Sequence, residues 1–517
     1  EALKANTTGI RNVAIGTDAL KANTTSGQNT AIGTYCMQNG TSGDSNTAVG
    51  YDCFSQINTG SNGTAVGAYA LKANTSGYQN VALGYKALTA NTTGFVNTAI
   101  GAETLMANTT GDKNVAIGKG ALTANQSADN NIGIGWDAVS NTTTGGENVG
   151  IGVGALQDNV TGTQSVAIGG YALGNDTTGG NTAVGYKALT TNTTGDYLTA
   201  MGYNALELNQ TGDKNTAFGY KSLEDNTTAG FCTAVGYIAL NTNTTGTENT
   251  AVGANALTTN STGSYNTAMG VNSLEANTAS KNTAFGYRTL EANSSGEQNV
   301  AVGAYAGTDN TTGNYNNSFG YYALHACTTG TNNCAFGRGA LVTLVDSNNN
   351  AAFGDYALQA NTAGNNSAFG YRSLYTNTTG TSNVAVGANA IYTNSTGSNN
   401  TGVGIDALRE NTTGGDNTGI GYQALRKNTT GTRNTSTGYE SLEFNTTGGN
   451  NSAFGTFALW ANQTASNNTA VGYQALTANT TGTGNVAIGV DTLDAATTAS
   501  YNTAVGNYAL STTITGE

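Results

Sequence analysis

Asn468-Thr469-Ala470-Val471-Gly472-Tyr473-Gln474-Ala475-Leu476-Thr477-Ala478-Asn479-Thr480-Thr481-Gly482-Thr483-Gly484 is one turn of a pattern that fills the whole chain. The next turn opens at once with Asn485-Val486-Ala487-Ile488-Gly489. A strict period decides the fold before any local propensity does. The glycines that close the Asn-Thr-Ala-Val-Gly motif run from Gly16 to Gly506, thirty in all. Of the 29 intervals between them, 26 are 17 residues long and three are 16 (169 to 185, 270 to 286 and 354 to 370). No linker interrupts them, so the sequence predicts a single continuous array over residues 1–517. It begins and ends inside a repeat, which reads as a window cut from a longer array.

Each column of the repeat has its own chemistry. The residue before the marker glycine is apolar in 29 of 30 turns (Ile15, Val49, Phe218, Met269), with Thr437 the exception. Two before it stands Ala, Gly or Ser. Four before it stands Asn in 26 of 30, with Gly63, Ser165, Leu198 and Cys232 the exceptions. Four after it is Leu in 25 of 30, and two after it varies freely (Asp18, Lys86, Glu103, Tyr171, Arg288) as a solvent-facing position does. A polar Ala-Asn-Thr-Thr-Gly corner follows.

Recurrent glycine, β-branched residues and Asn-Thr-Thr-Gly turns exclude helix. Asn-Thr-Ala-Val-Gly reads as a short strand, and Tyr-x-Ala-Leu as a second. The prediction is an all-β parallel β-solenoid, or β-roll, of about 30 coils with 17 residues each. At the ~4.8 Å sheet spacing such a stack is roughly 140 Å long. Like residues then form ladders: Asn29, Asn46, Asn80, Asn97 and Asn114 on one, Leu71, Leu88, Leu105 and Leu122 on another, with Val and Thr columns beside them. Stacked Asn amides are expected to bond from coil to coil. About two large aliphatic side chains per coil are expected inside, and the Ala/Gly column is expected to let other chains pack closely as a parallel homotrimer.

Composition fits that frame. The 517 residues include 73 Gly and no Pro; 37% are hydrophobic and only 9% charged. Disordered low-complexity sequence lacks such periodic apolar positions. A net charge of −13, thinly spread, offers no basic face for nucleic acid. Apolar runs such as Ala340-Leu341-Val342 are far too short to span a membrane. The five cysteines (Cys36, Cys53, Cys232, Cys327, Cys334) include no CxxC pair. Cys36 and Cys53 lie one period apart, either within disulfide reach on neighbouring coils or as small thiols filling positions that are otherwise Ala.

The units Asn468 to Leu476 and Asn479 to Gly482 resemble the repeats of phage and bacterial tail-fibre-type proteins, which often end in an endosialidase-type chaperone. The Asn-Val-Ala-Ile-Gly units (Asn12 to Gly16, Asn114 to Gly118, Asn485 to Gly489) are similar to the head repeats of trimeric autotransporter adhesins. The resemblance covers essentially the whole chain. It implies trimeric, elongated, extracellular fibres, on a virion or a cell surface, that attach to surface glycans or receptors or space a binding tip from its anchor.

Catalysis fits poorly. His325 is the sole histidine, so one chain holds no His-based triad or multi-His metal site, and the acids are scattered rather than paired. No enzyme activity, cofactor or metal is expected. Tyr follows the marker glycine in 12 of 30 turns, including Tyr186, Tyr203, Tyr220 and Tyr237. That run reads either as a half-buried ladder stiffening the sheet or as a glycan-facing row. The in-register Thr of Asn-Thr-Ala offers an ice-binding alternative, although Val13, Val81 and Val115 interrupt it. Asn-x-Thr/Ser sequons recur at the corners (Asn6, Asn23, Asn74, Asn91), where Asn also serves as turn former and ladder residue. His325 to Asn350 departs most from the consensus, with Leu341-Val342-Thr343-Leu344-Val345 in place of the usual corner: a docking patch or drift in a tolerant corner. The expected function is a shaft or filament segment; a self-assembling matrix filament is a further alternative.

Overall fold

The computed structural model describes residues 1–512 and divides into two units, Glu1–Ser264 and Tyr265 onward. In each unit fifteen three-residue strands lie side by side, all parallel. They run from β1 (Val13–Ile15) to β15 (Thr250–Val252) in the first and from β16 (Thr267–Met269) to β30 (Thr503–Val505) in the second. Pairing is like with like: Thr47, Ala48 and Val49 of β3 face Thr64, Ala65 and Val66 of β4. Where a coil has 16 residues the columns still match, as in Val166, Ala167 and Ile168 against Thr182, Ala183 and Val184. The missing residue is therefore lost from the corner. Each unit is a parallel β-solenoid with one strand per coil, and no described residue is helical. Among the described residues no helix is long and apolar enough to cross a membrane.

The marker glycine fixes how closely coils approach. These glycines have φ from 120° to 145°, a region only glycine occupies without strain. A Cβ on Gly219 would stand 2.2 Å from the carbonyl oxygen of Gly236 on the next coil. The constraint is thus both conformational and steric.

The Tyr-x-Ala-Leu stretch is not a second strand. Residues two and four after the marker glycine have left-handed φ, for example Gln474 (53°) and Leu476 (54°), whereas β-structure needs φ well below zero. Ala70 and Leu71 are adjacent and both fully buried, yet a strand would send them to opposite faces. The stretch still bonds from coil to coil. The Gln474 N–H donates back to the Thr456 carbonyl and the Leu476 N–H donates forward to the Thr492 carbonyl, both at 3.0 Å. Alternating left-handed residues let the chain turn while its peptide groups keep pointing along the stack, which satisfies buried backbone groups.

The interior is also narrower than the column pattern predicts. The strand alanine points in and is fully buried (Ala48, Ala65, Ala99), so its two neighbours point out. The apolar residue before the marker glycine lies outside: Ile100 is 36% exposed, Ile168 39% and Phe218 51%. A consensus coil therefore buries one large aliphatic side chain, the leucine, rather than two. The Ala/Gly column expected to admit other chains faces the inside of its own coil and cannot serve that purpose.

Tight packing explains where the consensus fails. Phe54 takes a leucine position, and on the next coil Gly63 replaces the usual Asn; a Cβ there would lie 2.6 Å from the Phe54 ring. Val139 and Ile391 also replace leucine, and Gly150 and Gly402 replace the inner alanine beside them, where a Cβ would come within 2.4 Å and 2.7 Å of the branched side chains. Gly63→Asn alone is expected to destabilise the first unit by more than about 2 kcal/mol through overpacking. Phe54→Leu alone should cost about 1–3 kcal/mol for the cavity. The double substitution, which restores the consensus, should recover at least about 1 kcal/mol of that sum. A double-mutant cycle in denaturant reads this directly, and additive losses would contradict the compensation.

Candidate functional site

Two buried asparagine ladders run through each unit and set its internal chemistry. In the leading ladder, four residues before the marker glycine, Asn29, Asn46, Asn80, Asn97 and Asn114 are all fully buried. They do not simply stack amide on amide. Each Oδ1 accepts the backbone N–H of the residue one coil on in the same column, from Asn46 to Asn29 at 2.8 Å, from Gly63 to Asn46 at 2.8 Å and from Asn114 to Asn97 at 2.9 Å. Each Nδ2 donates to a corner carbonyl of the next coil: Asn80 to Gly94 and Asn97 to Gly111, both at 2.8 Å. One side chain thus satisfies a buried donor and a buried acceptor of the neighbouring coil.

The corner asparagine, seven after the marker glycine, makes the amide-to-amide chain. Asn91 Nδ2 donates to Asn74 Oδ1 at 2.6 Å, Asn108 to Asn91 and Asn125 to Asn108 at 2.8 Å. In the second unit Asn394, Asn411, Asn428, Asn445, Asn462 and Asn479 each bond to the corner Asn of the preceding coil. These are the sequon positions. Asn23, Asn74 and Asn91 are fully buried, so a glycan cannot be attached to them in the folded coil; Asn6 alone of the four is exposed.

Substitutions within the ladders keep or lose individual bonds. Cys232 replaces a leading Asn: its N–H donates to Asn215 Oδ1 at 2.8 Å and its thiol donates to the Gly246 carbonyl at 3.3 Å. Cys327 replaces a corner Asn, and its thiol faces the Gly330 carbonyl at 3.7 Å. Burial pushes both thiols up to about 11. Leu344, within the most divergent stretch, also takes a corner Asn position and points inward, fully buried. Cys36 and Cys53 are free, fully buried thiols in the alanine position three after the marker glycine, each donating to a strand-alanine carbonyl (Ala48 at 3.2 Å, Ala65 at 3.3 Å).

The fully buried leucines Leu71, Leu88, Leu105 and Leu122 form the apolar core column. Outside, the strand face carries the Thr/Val column and the apolar column side by side, with the Tyr column at its flank. Tyr186, Tyr203, Tyr220 and Tyr237 are 42–53% exposed and stack with ring centroids 5.5, 5.5 and 5.3 Å apart. Their planes lie within 21° of parallel, so the faces cover one another and the run presents edges and hydroxyls. A sugar stacking on an aromatic needs a free face.

Groups with reactive potential stay dispersed. His325 Nδ1 lies 3.6 Å from the Asp309 carboxylate, and its ring packs on Tyr322 at 4.8 Å. Glu443, 4% exposed, binds Arg426 Nη1 at 3.0 Å and accepts the Trp460 indole N–H at 2.8 Å, three residues from three successive coils. Trp460 borders a shallow cavity of about 220 Å³ with Phe457, Gln474 and Thr477. Among the described residues no group of three or more His, Cys, Asp and Glu is placed to hold a metal ion.

No protein-family model matches this chain, and no curated protein matches it in sequence. Its own geometry therefore carries the functional argument.

Sequence columns located the leading Asn and the leucine. They did not reveal that the apolar column faces out, because a three-residue strand is too short for its alternation to stand apart from its flanks. They also passed over Asp176, which occupies a corner Asn position in a 16-residue coil. Asp176 is fully buried and accepts from Asn192 Nδ2 at 2.7 Å, Thr178 Oγ1 at 3.0 Å and Asn181 Nδ2 at 3.2 Å. Burial outweighs these donors and pushes its carboxyl up to about 6. The folded chain therefore binds this proton more tightly than the unfolded chain, and the stabilisation is complete below the ordinary carboxylate range and lost as pH rises through about 6. Asp176→Asn should match the native protein near pH 4 and exceed its stability at pH 8 by up to about 3 kcal/mol. Thermal unfolding of both proteins across that range measures the difference; a pH-independent gap would contradict it.

Proposed function

We propose that this chain is a repeat segment of the shaft or filament of an extracellular fibre, of the phage tail-fibre or bacterial surface-adhesin kind, acting through reach, stiffness and multivalent attachment. Its partner is itself, as a homotrimer or filament. The observation that carries the reading is the coil-to-coil ladder system: in each unit neighbouring coils bond through the backbone, and most also through two buried Asn columns. Length then grows with coil number, and stability grows as a sum of neighbour contacts. Bending such a stack requires shearing several buried hydrogen-bond columns together, so it is stiff. The exposed apolar column supports association, since a monomer gains nothing from holding it in water.

Static light scattering tests the self-association. A mass near three times the 52.1-kDa chain is expected. A mass of one chain at micromolar concentration would overturn the multimeric fibre.

A further inference from the structure

The outward strand face has a size pattern that single coils do not require. Across the thirty strands its two columns, the first and third strand residues, contain no charged residue, although the chain has 18 Lys and Arg and 31 Asp and Glu. The first residue is Thr, Val or Ile in 25 strands. The five exceptions are Asn317, Cys334, Ala351, Ser367 and Ser452, all unbranched at Cβ. All five fall in strands whose third residue is Phe, of which the chain has only seven. Conversely, no strand that begins with Val or Ile ends in Phe or Met. A bulky third residue thus goes with a slim first residue in the same coil.

Fit within one chain does not demand this. Thr216 stands beside Phe218, and Thr283 beside Phe285, with Phe218 still 51% exposed. The rings of Phe319, Phe336, Phe353 and Phe369 stack along the column at 4.4, 4.8 and 5.0 Å, coil on coil. What needs room at the first strand residue is a ring arriving from outside.

We infer that the outward strand face seats a neighbouring copy of this chain, parallel and in register, with the third strand residue of each coil lying over the first strand residue of the same coil in its neighbour. This rests on the fibre reading and names the surface and register of its self-association. Rotation about an axis along the stack brings together those two columns of equal coils, which is where the size compensation is written. An antiparallel neighbour would set Phe coils against unrelated coils and leave the correlation without purpose. Period matching points to the same occupant, because only a surface with the same rise stays in step over every coil. Fifteen coils at ~4.8 Å make a stripe about 70 Å long, and at a width of about 10 Å it offers roughly 700 Å² per unit. That approaches the ~800 Å² each partner gives a stable interface. The absence of charge matches the depletion found at interface centres.

Cys334, half-buried on this face, supplies a native probe. A chain carrying Phe336→Cys and Cys334→Ser is co-expressed with the native chain and treated with a bismaleimide of about 10 Å span, the separation of packed sheets. A second chain carrying Phe285→Cys and Cys334→Ser, displaced by three coils, is treated alike. Light scattering fixes the mass of every preparation. The expected result is a multimer in which the in-register pair cross-links between chains at least about tenfold more than the displaced pair, through its higher effective concentration. A multimer in which both pairs link equally, or neither links, overturns this face and register while leaving the fibre reading standing. A single-chain mass overturns both.

Discussion

The structure depends on the near contact between successive marker glycines, where one coil's α-carbon meets the next coil's carbonyl with no room for a Cβ. Gly33 to Gly50, Gly202 to Gly219 and Gly455 to Gly472 repeat that approach through both units. It sets the distance at which every other coil-to-coil bond must form. At that distance the strand amides pair column for column, the leading Asn bridges a donor and an acceptor, and the corner Asn amides chain together. A shift by one residue would bring a Cβ into this gap and set both Asn columns against the wrong partners, so register is specified many times over.

That closeness has a conformational cost. Beside its marker glycine, each consensus coil holds three non-glycine residues at positive φ, as in Lys86 (57°), Leu88 (52°) and Val96 (56°). For non-glycine residues such a conformation costs roughly 1–2 kcal/mol each. Leucine at this angle is unusual, and it persists because its side chain is the one large group a consensus coil buries. Where the chain substitutes glycine at such a position, as at Gly120, Gly154 and Gly307, the left-handed φ is retained. The coil is therefore a closely fitted ring rather than a flexible loop, which is the property a shaft element needs.

Much of this was legible in the sequence for a physical reason: a strict period forces identical residues into identical environments, so columns can be read as environments. Asn29 and Leu71 fall where the columns put them. Two features were not legible. A Tyr-x-Ala-Leu segment looks like a strand by alternation, yet left-handed residues depend on coil closure, which no local propensity encodes. The recurrent adjacent Ala and Leu were the available hint, since neighbours on a strand cannot both point inward. The outward direction of Val49 or Phe218 was hidden because an apolar residue is assigned to a core by default, while this interior is filled by alanine and amide groups. Asp176 and the pairing of Phe with unbranched residues are departures from consensus that acquire meaning only once it is known which side chains face inward and which outward.

Amide hydrogen exchange resolved along the chain tests the coil-to-coil account most directly. The account predicts slow exchange recurring with the coil period, at the strand amides and equally outside the strands, at leading Asn amides such as Asn46, Asn97 and Asn114 and at leucine amides such as Leu71 and Leu88. Protection confined to the three-residue strands, with the Asn and Leu amides exchanging at free-peptide rates, would contradict it.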